Sequence, residues 1–364
     1  MVTYRTRTSF VIFTLVALIA ILMGIFKQVS VTLGSQRESP PPTQEQLRDV
    51  DYWQQRIRQE GPDQAYDAHV RAVREGDIQS SHTLAHVFGS ALYKEIGVDA
   101  VAVCDDTFAY GCLHEVFERV VDDHGTDGLR SSVERCGEDE VRWHPCHHAL
   151  GHGLVAYFGY DVAAVRDALD ICHDGFDEDP INGCVGGVFM EFNLYTTEGP
   201  QIEPRPVDEA GWYFPCTEVD DTYRRACYFW LPQWWREILR VEIADSEELF
   251  RVMGEKCRAA PDQRYVRECF ERVGQHATYQ SKYDPPLAKR LCDAATQDPT
   301  FNFLCRSYSA FSFRYTDEQY ASQALEMCAE FTDDARSFCE AFARKEANIG
   351  SSPELPHEYR SDVP

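Results

Sequence analysis

Fourteen cysteines constrain this chain more than any other feature of it. They fall into seven consecutive pairs: Cys104/Cys112, Cys136/Cys146, Cys172/Cys184, Cys216/Cys227, Cys257/Cys269, Cys292/Cys305 and Cys328/Cys339. Each pair encloses 7 to 12 residues, and the pairs recur every 32 to 44 residues. That is the period of a two-helix repeat. An even number of regularly spaced cysteines also points to an oxidising compartment, where disulfides persist.

Alignment on the first cysteine of each pair places alanine four residues earlier, at Ala100, Ala168, Ala288 and Ala324. An aliphatic residue stands three earlier, at Val101, Val133, Leu169 and Leu325. These neighbours and the cysteine share one side of a helix's last turn. Alignment on the second cysteine places an aromatic four residues earlier, at Phe108, Tyr223, Tyr265 and Phe301. A new apolar helix is expected to begin at or near that cysteine. Each unit therefore reads as helix A, first cysteine, short loop, second cysteine, helix B. A bridge across the loop staples the hairpin and adds about 2–4 kcal/mol. Spacing alone leaves bridges between neighbouring units open.

The pattern resembles the disulfide-stapled α-helical repeat proteins of the TPR and Sel1 type, at the level of architecture and over roughly residues 80–349. The expected fold is all-α: a right-handed-type α-solenoid of helix-hairpin repeats, each stapled by a disulfide, behind one N-terminal transmembrane helix. A lone hairpin cannot bury its apolar face, so units stack.

Residues 10–26 are apolar and uncharged, and Arg5 and Arg7 precede them. The stretch reads as a signal-anchor rather than a cleaved signal. The positive-inside rule then puts the N-terminus in the cytoplasm and the rest outside, in the periplasm or extracellular space. The expected organisation is a cytoplasmic tail at 1–9, the anchor at 10–26 and a polar, proline-rich linker at 27–50. An extracytoplasmic repeat domain follows at 51–349. It divides into a His-rich part at 80–191, an insertion at 192–215 and scaffold repeats at 216–349. A flexible tail closes the chain at 350–364. The insertion and the following helix are rich in aromatics, including Trp212, Trp230, Trp234 and Trp235. These either fill the core or wall a pocket.

Counting helix B from its opening cysteine brings out a second pattern. After Cys112, positions +2 and +6 are His114 and Glu118; after Cys146 they are His148 and His152. With Ser80 in the cysteine's place, the preceding helix offers His82 and His86. Residues four apart share a helix face, and stacked helices lie about 8–10 Å apart. The six side chains are therefore expected to converge. Five imidazoles and a carboxylate suit zinc, iron, copper or manganese, as one or two ions. A polar seam between helices is the other reading. Glu115 and Glu191 are candidates for a general base or for orienting a histidine. Gly89, Gly151 and Gly153 beside the histidines suggest close backbone approach, by a neighbouring helix or by a ligand. The layout is similar to that of deoxyhypusine hydroxylase, where His-Glu pairs on stacked helical repeats hold two irons.

Other functions fit poorly. A net charge of −25 argues against nucleic acid as a partner. There is no P-loop, dinucleotide fingerprint, haem-attachment motif or H-E-x-x-H zinc motif. Paired cysteines leave no thiol nucleophile. Two functions are expected: a membrane-anchored metal-dependent enzyme, hydrolase or oxygenase, or a non-catalytic scaffold that binds a protein or peptide on its concave face.

Overall fold

Each cysteine is bridged to its sequence neighbour, across separations of 8 to 13 residues. The seven bridges are Cys104–Cys112, Cys136–Cys146, Cys172–Cys184, Cys216–Cys227, Cys257–Cys269, Cys292–Cys305 and Cys328–Cys339. No cysteine is left for a bridge between units. The structure is a computed structural model. It describes residues 40–76, 80–105, 107–108, 110–136, 140–173, 181–194, 204–207, 211–347 and 354–360. The expected membrane segment at 10–26 lies outside these residues. Among the described residues no helix is long and apolar enough to cross a membrane.

The described residues form fifteen α-helices and no strand. They are α1 Gln44–Leu47, α2 Val50–Glu60, α3 Pro62–Glu75, α4 Ser81–Ile96 and α5 Gly111–Val133. Next come α6 Glu140–Phe158, α7 Val162–His173, α8 Cys184–Leu194, α9 Asp221–Leu239 and α10 Ser246–Arg258. The last five are α11 Val266–Gln280, α12 Pro285–Ala295, α13 Pro299–Thr316, α14 Ala321–Cys328 and α15 Asp333–Ala343. Thr43 and Gln46 form a reciprocal capping box at α1, so helix begins inside the stretch read as linker.

The second cysteine does not open helix B in every unit, and here the expectation needs correction. Cys112 and Cys184 do stand in the first turn of α5 and α8. Cys146, Cys227, Cys305 and Cys339 instead lie six residues into α6, α9, α13 and α15. Local chemistry starts three of these helices early. The Asp220 side chain accepts from the Thr222 N–H at α9, and Asp298 accepts from Thr300 and Phe301 at α13. Pro299 then occupies the first helical position of α13. At α15, Asp333 and Asp334 put negative charge in the first turn, where the helix dipole favours it. Much of what reads as loop before Cys227, Cys305 and Cys339 is therefore helix. The staples still close the hairpins, with Cα–Cα distances of 5.4, 5.7 and 5.6 Å. Tyr223 and Phe301, four residues before the cysteine, sit one turn earlier on its face.

The B helices α4, α5, α6, α8, α9, α11, α13 and α15 pack one against the next in chain order, with α7, α10, α12 and α14 preceding their partners as A helices. In the first two stapled units the A element is reduced. A 3₁₀ turn at Gly97–Ala102 leads into Cys104. The chain leading into Cys136 continues from α5 through a break at Gly125, whose φ of 62° suits glycine.

An open solenoid is not what the two ends of this row make. Arg74 at the end of α3 pairs with Asp317 just beyond α13, at 2.6 Å. Tyr110, at the start of α5, packs on Tyr315 of α13 with ring centroids 5.6 Å apart. The row curls until its beginning meets its end, and the B helices are buried along most of their length. Nor is the C-terminal stretch wholly a loose tail. The ring of Tyr359 stacks on Phe303 at 4.2 Å, and Leu355 is buried.

The described aromatics of the insertion serve the core. Trp235 donates its indole N–H to the Trp212 carbonyl at 2.8 Å, and Tyr213 donates its hydroxyl to the Lys256 carbonyl at 2.9 Å. The Arg205 guanidinium lies 4.1 Å from the Trp234 ring.

His69 on α3 is fully buried and its two ring nitrogens have no hydrogen-bond partner. Its ring sits 5.0 Å from Trp53 and 4.9 Å from Phe88. Burial among these rings pushes its pKa down to about 3. The unfolded chain binds this proton near pH 6.5 and the folded one does not, so stability is lost as pH falls from about 6.5 towards 3. In His69→Leu, the fall in unfolding free energy over that window should be shallower by about 1.4 kcal/mol per pH unit. Urea unfolding of both proteins at pH 7, 5 and 4 measures the difference.

Candidate metal centre

The helices that carry the site pack, at two of their contacts, closely enough to exclude side chains. A Cβ added at Gly151 on α6 would lie 2.1 Å from the Cys184 carbonyl oxygen of α8. One added at Gly187 on α8 would lie 1.9 Å from the His148 carbonyl oxygen. Gly89 on α4 stands in the same relation to α5, with the Cys112 carbonyl oxygen 2.6 Å from such a Cβ. A neighbouring helix, rather than a ligand, is therefore what these glycines admit.

This packing brings all five register histidines together. The ring of His114 on α5 lies 5.3 Å from His82 and 5.8 Å from His86, both on α4. On its other side it lies 5.6 Å from His148 and 4.4 Å from His152, both on α6. Three groups have donor atoms close enough to share an ion, within 4.8 Å of one another: His82/His86/His114, His114/His148/His152 and His86/Glu115/Glu118. His114 belongs to two of them and His86 to two, so the groups form one continuous cluster. His82 and His86 are partly exposed, whereas His152 and Glu191 are sealed. The cluster therefore opens on the α4 side.

Hydrogen bonds fix the tautomers at the open end. His82 Nδ1 lies 2.9 Å from the Phe108 carbonyl oxygen, and His86 Nδ1 lies 3.3 Å from Glu115 Oε2. Both oxygens only accept, so both rings donate from Nδ1. A neutral ring that donates from Nδ1 carries a lone pair on Nε2. Those two Nε2 atoms face each other at 3.3 Å. A proton on one ring joins them as a hydrogen bond, and a metal ion can take that proton's place.

At the sealed end, His152 Nδ1 lies 2.9 Å from Glu191 Oε2, and its Nε2 lies 3.3 Å from His148 Nε2. Both nitrogens of His114 are buried without a hydrogen-bond partner. Burial, reinforced by neighbouring imidazoles, holds His82 down to about 3 and His114 and His148 well below the usual histidine range. These three rings are therefore neutral and able to ligate. Burial, and then the charge of Glu115, raises the Glu118 carboxyl to about 9.

Glu115 and Glu191, weighed as general bases or as orienting groups, each face a histidine of the cluster. Glu115 is shared between His86 and Arg119, which lies 2.9 Å away. Burial works against its charge, but His86 and Arg119 hold its carboxyl below the usual range. Glu191 accepts from Tyr160 at 2.6 Å as well as facing His152. His124 and His173, outside the register, are exposed.

Sequence reasoning missed Arg119 and Tyr160, which hydrogen-bond the two glutamates, and it did not place Trp230, singled out as core or pocket wall, against His148, where its ring lies at 5.1 Å. Arg119 was findable as the helical neighbour of Glu115 four residues on. Trp230 comes within reach because the facing position in the preceding unit is Gly186, where a Cβ would lie 2.9 Å from the Trp230 Nε1.

The fold and site define an all-α, disulfide-stapled helical-repeat protein with buried His/Glu groups able to hold a metal ion. In comparisons with protein families, curated proteins and solved structures, nothing matches this chain.

Long-range proton–nitrogen NMR of the metal-free protein at pH 7 should report the Nδ1–H tautomer for both His82 and His86. A proton on Nε2 of either ring would remove the facing lone pairs.

Proposed function

We propose that this protein is a membrane-anchored, extracytoplasmic, metal-dependent enzyme, a hydrolase or oxygenase. Residues 10–26 serve as the anchor and the stapled helices as the catalytic body. The ligands are His82, His86, His114, Glu118, His148 and His152, holding one or two ions of zinc, iron, copper or manganese. The observation that carries this reading is the convergence of the five register imidazoles into two groups of three, whose donor atoms lie within 4.8 Å of one another. Seven disulfides suit an oxidising, extracytoplasmic location.

A bound divalent ion with an open position would activate water or dioxygen. Glu115 and Glu191 keep His86 and His152 in the ligating tautomer, as outer carboxylates do for metal-bound imidazoles. The partly exposed His82/His86 end gives access, and the sealed His152/Glu191 end excludes water. Among the described residues the exposed large apolar side chains, Tyr157, Val207, Val241 and Leu325, stand far apart in the chain and on different elements.

Full-length protein purified without a His tag should carry stoichiometric metal by mass spectrometry. His114→Ala, which takes a ligand from both imidazole groups, should remove most of it. Absence of metal under metal-replete conditions would overturn the reading. Glu115→Gln and Glu191→Gln keep the side-chain shape but weaken acceptance from Nδ1–H. Each should lower metal affinity about 10- to 100-fold with helical content unchanged, as competition with a chelator would measure.

A further inference from the structure

The histidine-bearing side of the B helices stays polar beyond the histidines. Counted from the same cysteine, positions +3, +6 and +7 of α11 are Arg272, Gln275 and His276. Positions +3 and +6 of α9 are Trp230 and Gln233. Arg272 is 7% exposed and His276 2%. The Arg272 guanidinium lies 3.9 Å from the centroid of the Trp230 ring, the same ring that packs on His148 at 5.1 Å. One indole therefore touches both the metal cluster and a buried cation.

That cation has no counter-ion among the described residues. Its hydrogen bonds go to the side-chain oxygens of Gln233 and Gln275, both neutral, and its Nε has no partner. Beside it, both ring nitrogens of His276 are buried and unpartnered. Burial, then Arg236 and Arg272, holds this imidazole well below the usual range, so it is neutral and carries one N–H donor. The nearby Arg236, whose charge acts on both Arg272 and His276, is paired with Glu237 at 2.5 Å and so adds no carboxylate to spare. Burying an uncompensated charge is unfavourable unless something completes it. A guanidinium presents a planar fork of N–H donors matched to carboxylate and phosphate oxygens.

We propose that Arg272 and His276, framed by Gln233 and Gln275, form an anion subsite that takes a carboxylate or phosphate group of the substrate. The assignment as a substrate subsite rests on the metal-enzyme reading; the anion site itself does not. Trp230 separates the subsite from the metal cluster. On that reading the substrate is an acidic molecule, held by its charged group at Arg272.

The test uses metal-depleted full-length protein, titrated by calorimetry with inorganic phosphate and separately with succinate. Saturable binding of at least one probe is expected, the tighter probe giving the substrate's charged group. Arg272→Met, which keeps the stem that packs on Trp230, should weaken binding at least tenfold. In the unaltered protein the imidazole NMR signals of His276 should move along the same titration, a reading that needs no variant to fold. Binding of neither probe, binding unchanged in Arg272→Met, or stationary His276 signals would each overturn the subsite. Arg272-dependent binding in a protein that proves to carry no metal would uphold the anion site and remove only its link to a metal reaction.

Discussion

A covalent bridge between the end of one helix and the first turns of the next fixes where each hairpin closes, and the rest of the structure inherits that register. Each B helix after α4 is pinned at its cysteine, and α4, which has none, packs directly on α5, so equivalent positions on neighbouring helices come level. His82, His114 and His148 are brought side by side in this way. The same register aligns Gly151 with Gly187, allowing α6 and α8 to approach closely enough for Glu191 to meet His152, and Gly89 lets α4 approach α5. Stapled hairpins and missing side chains act together: one sets position along the helix, the other sets distance between helices.

The site built on this frame joins groups that are unfavourable when buried singly. Five imidazoles and three carboxylates, with few compensating donors, make an interior that favours a cation. Arg119 and Tyr160 lie behind Glu115 and Glu191 and hold the carboxylates against their histidines. Past Trp230 the sign of the interior reverses, and Arg272 is buried among neutral partners. The inner side of the B helices is therefore electrically graded, from a cation-seeking end on α4–α6 to an anion-seeking end on α11.

Much of this was legible in the chain because it depends on spacing. The bridges follow from neighbouring cysteines, and the histidine cluster follows from counting along helix B. That count holds wherever the helix starts, which is why the early starts before Cys146, Cys227, Cys305 and Cys339 do not disturb it. What spacing could not show was curvature. A repeat states how each unit packs on the next, but the small rotation per unit decides whether the ends meet. The contacts of Arg74 with Asp317 and Tyr110 with Tyr315 join residues far apart in sequence. The partners of Glu115 and Glu191 were open for a similar reason. Spacing puts each carboxylate near a histidine, and only the fold shows Arg119 and Tyr160 on the other oxygens. Arg272 went unread because the later repeats lack the paired histidines, although the same counting from Cys269 puts it level with the cluster.

The bridges have one more consequence, which concerns order of synthesis rather than architecture. Every cysteine is joined to its neighbour along the chain, with no crossing and no long loop. A chain that emerges N-terminus first into an oxidising space presents each thiol to its correct partner before any wrong one exists. Seven cysteine pairs can then be closed in sequence, and the native connectivity is also the order of emergence.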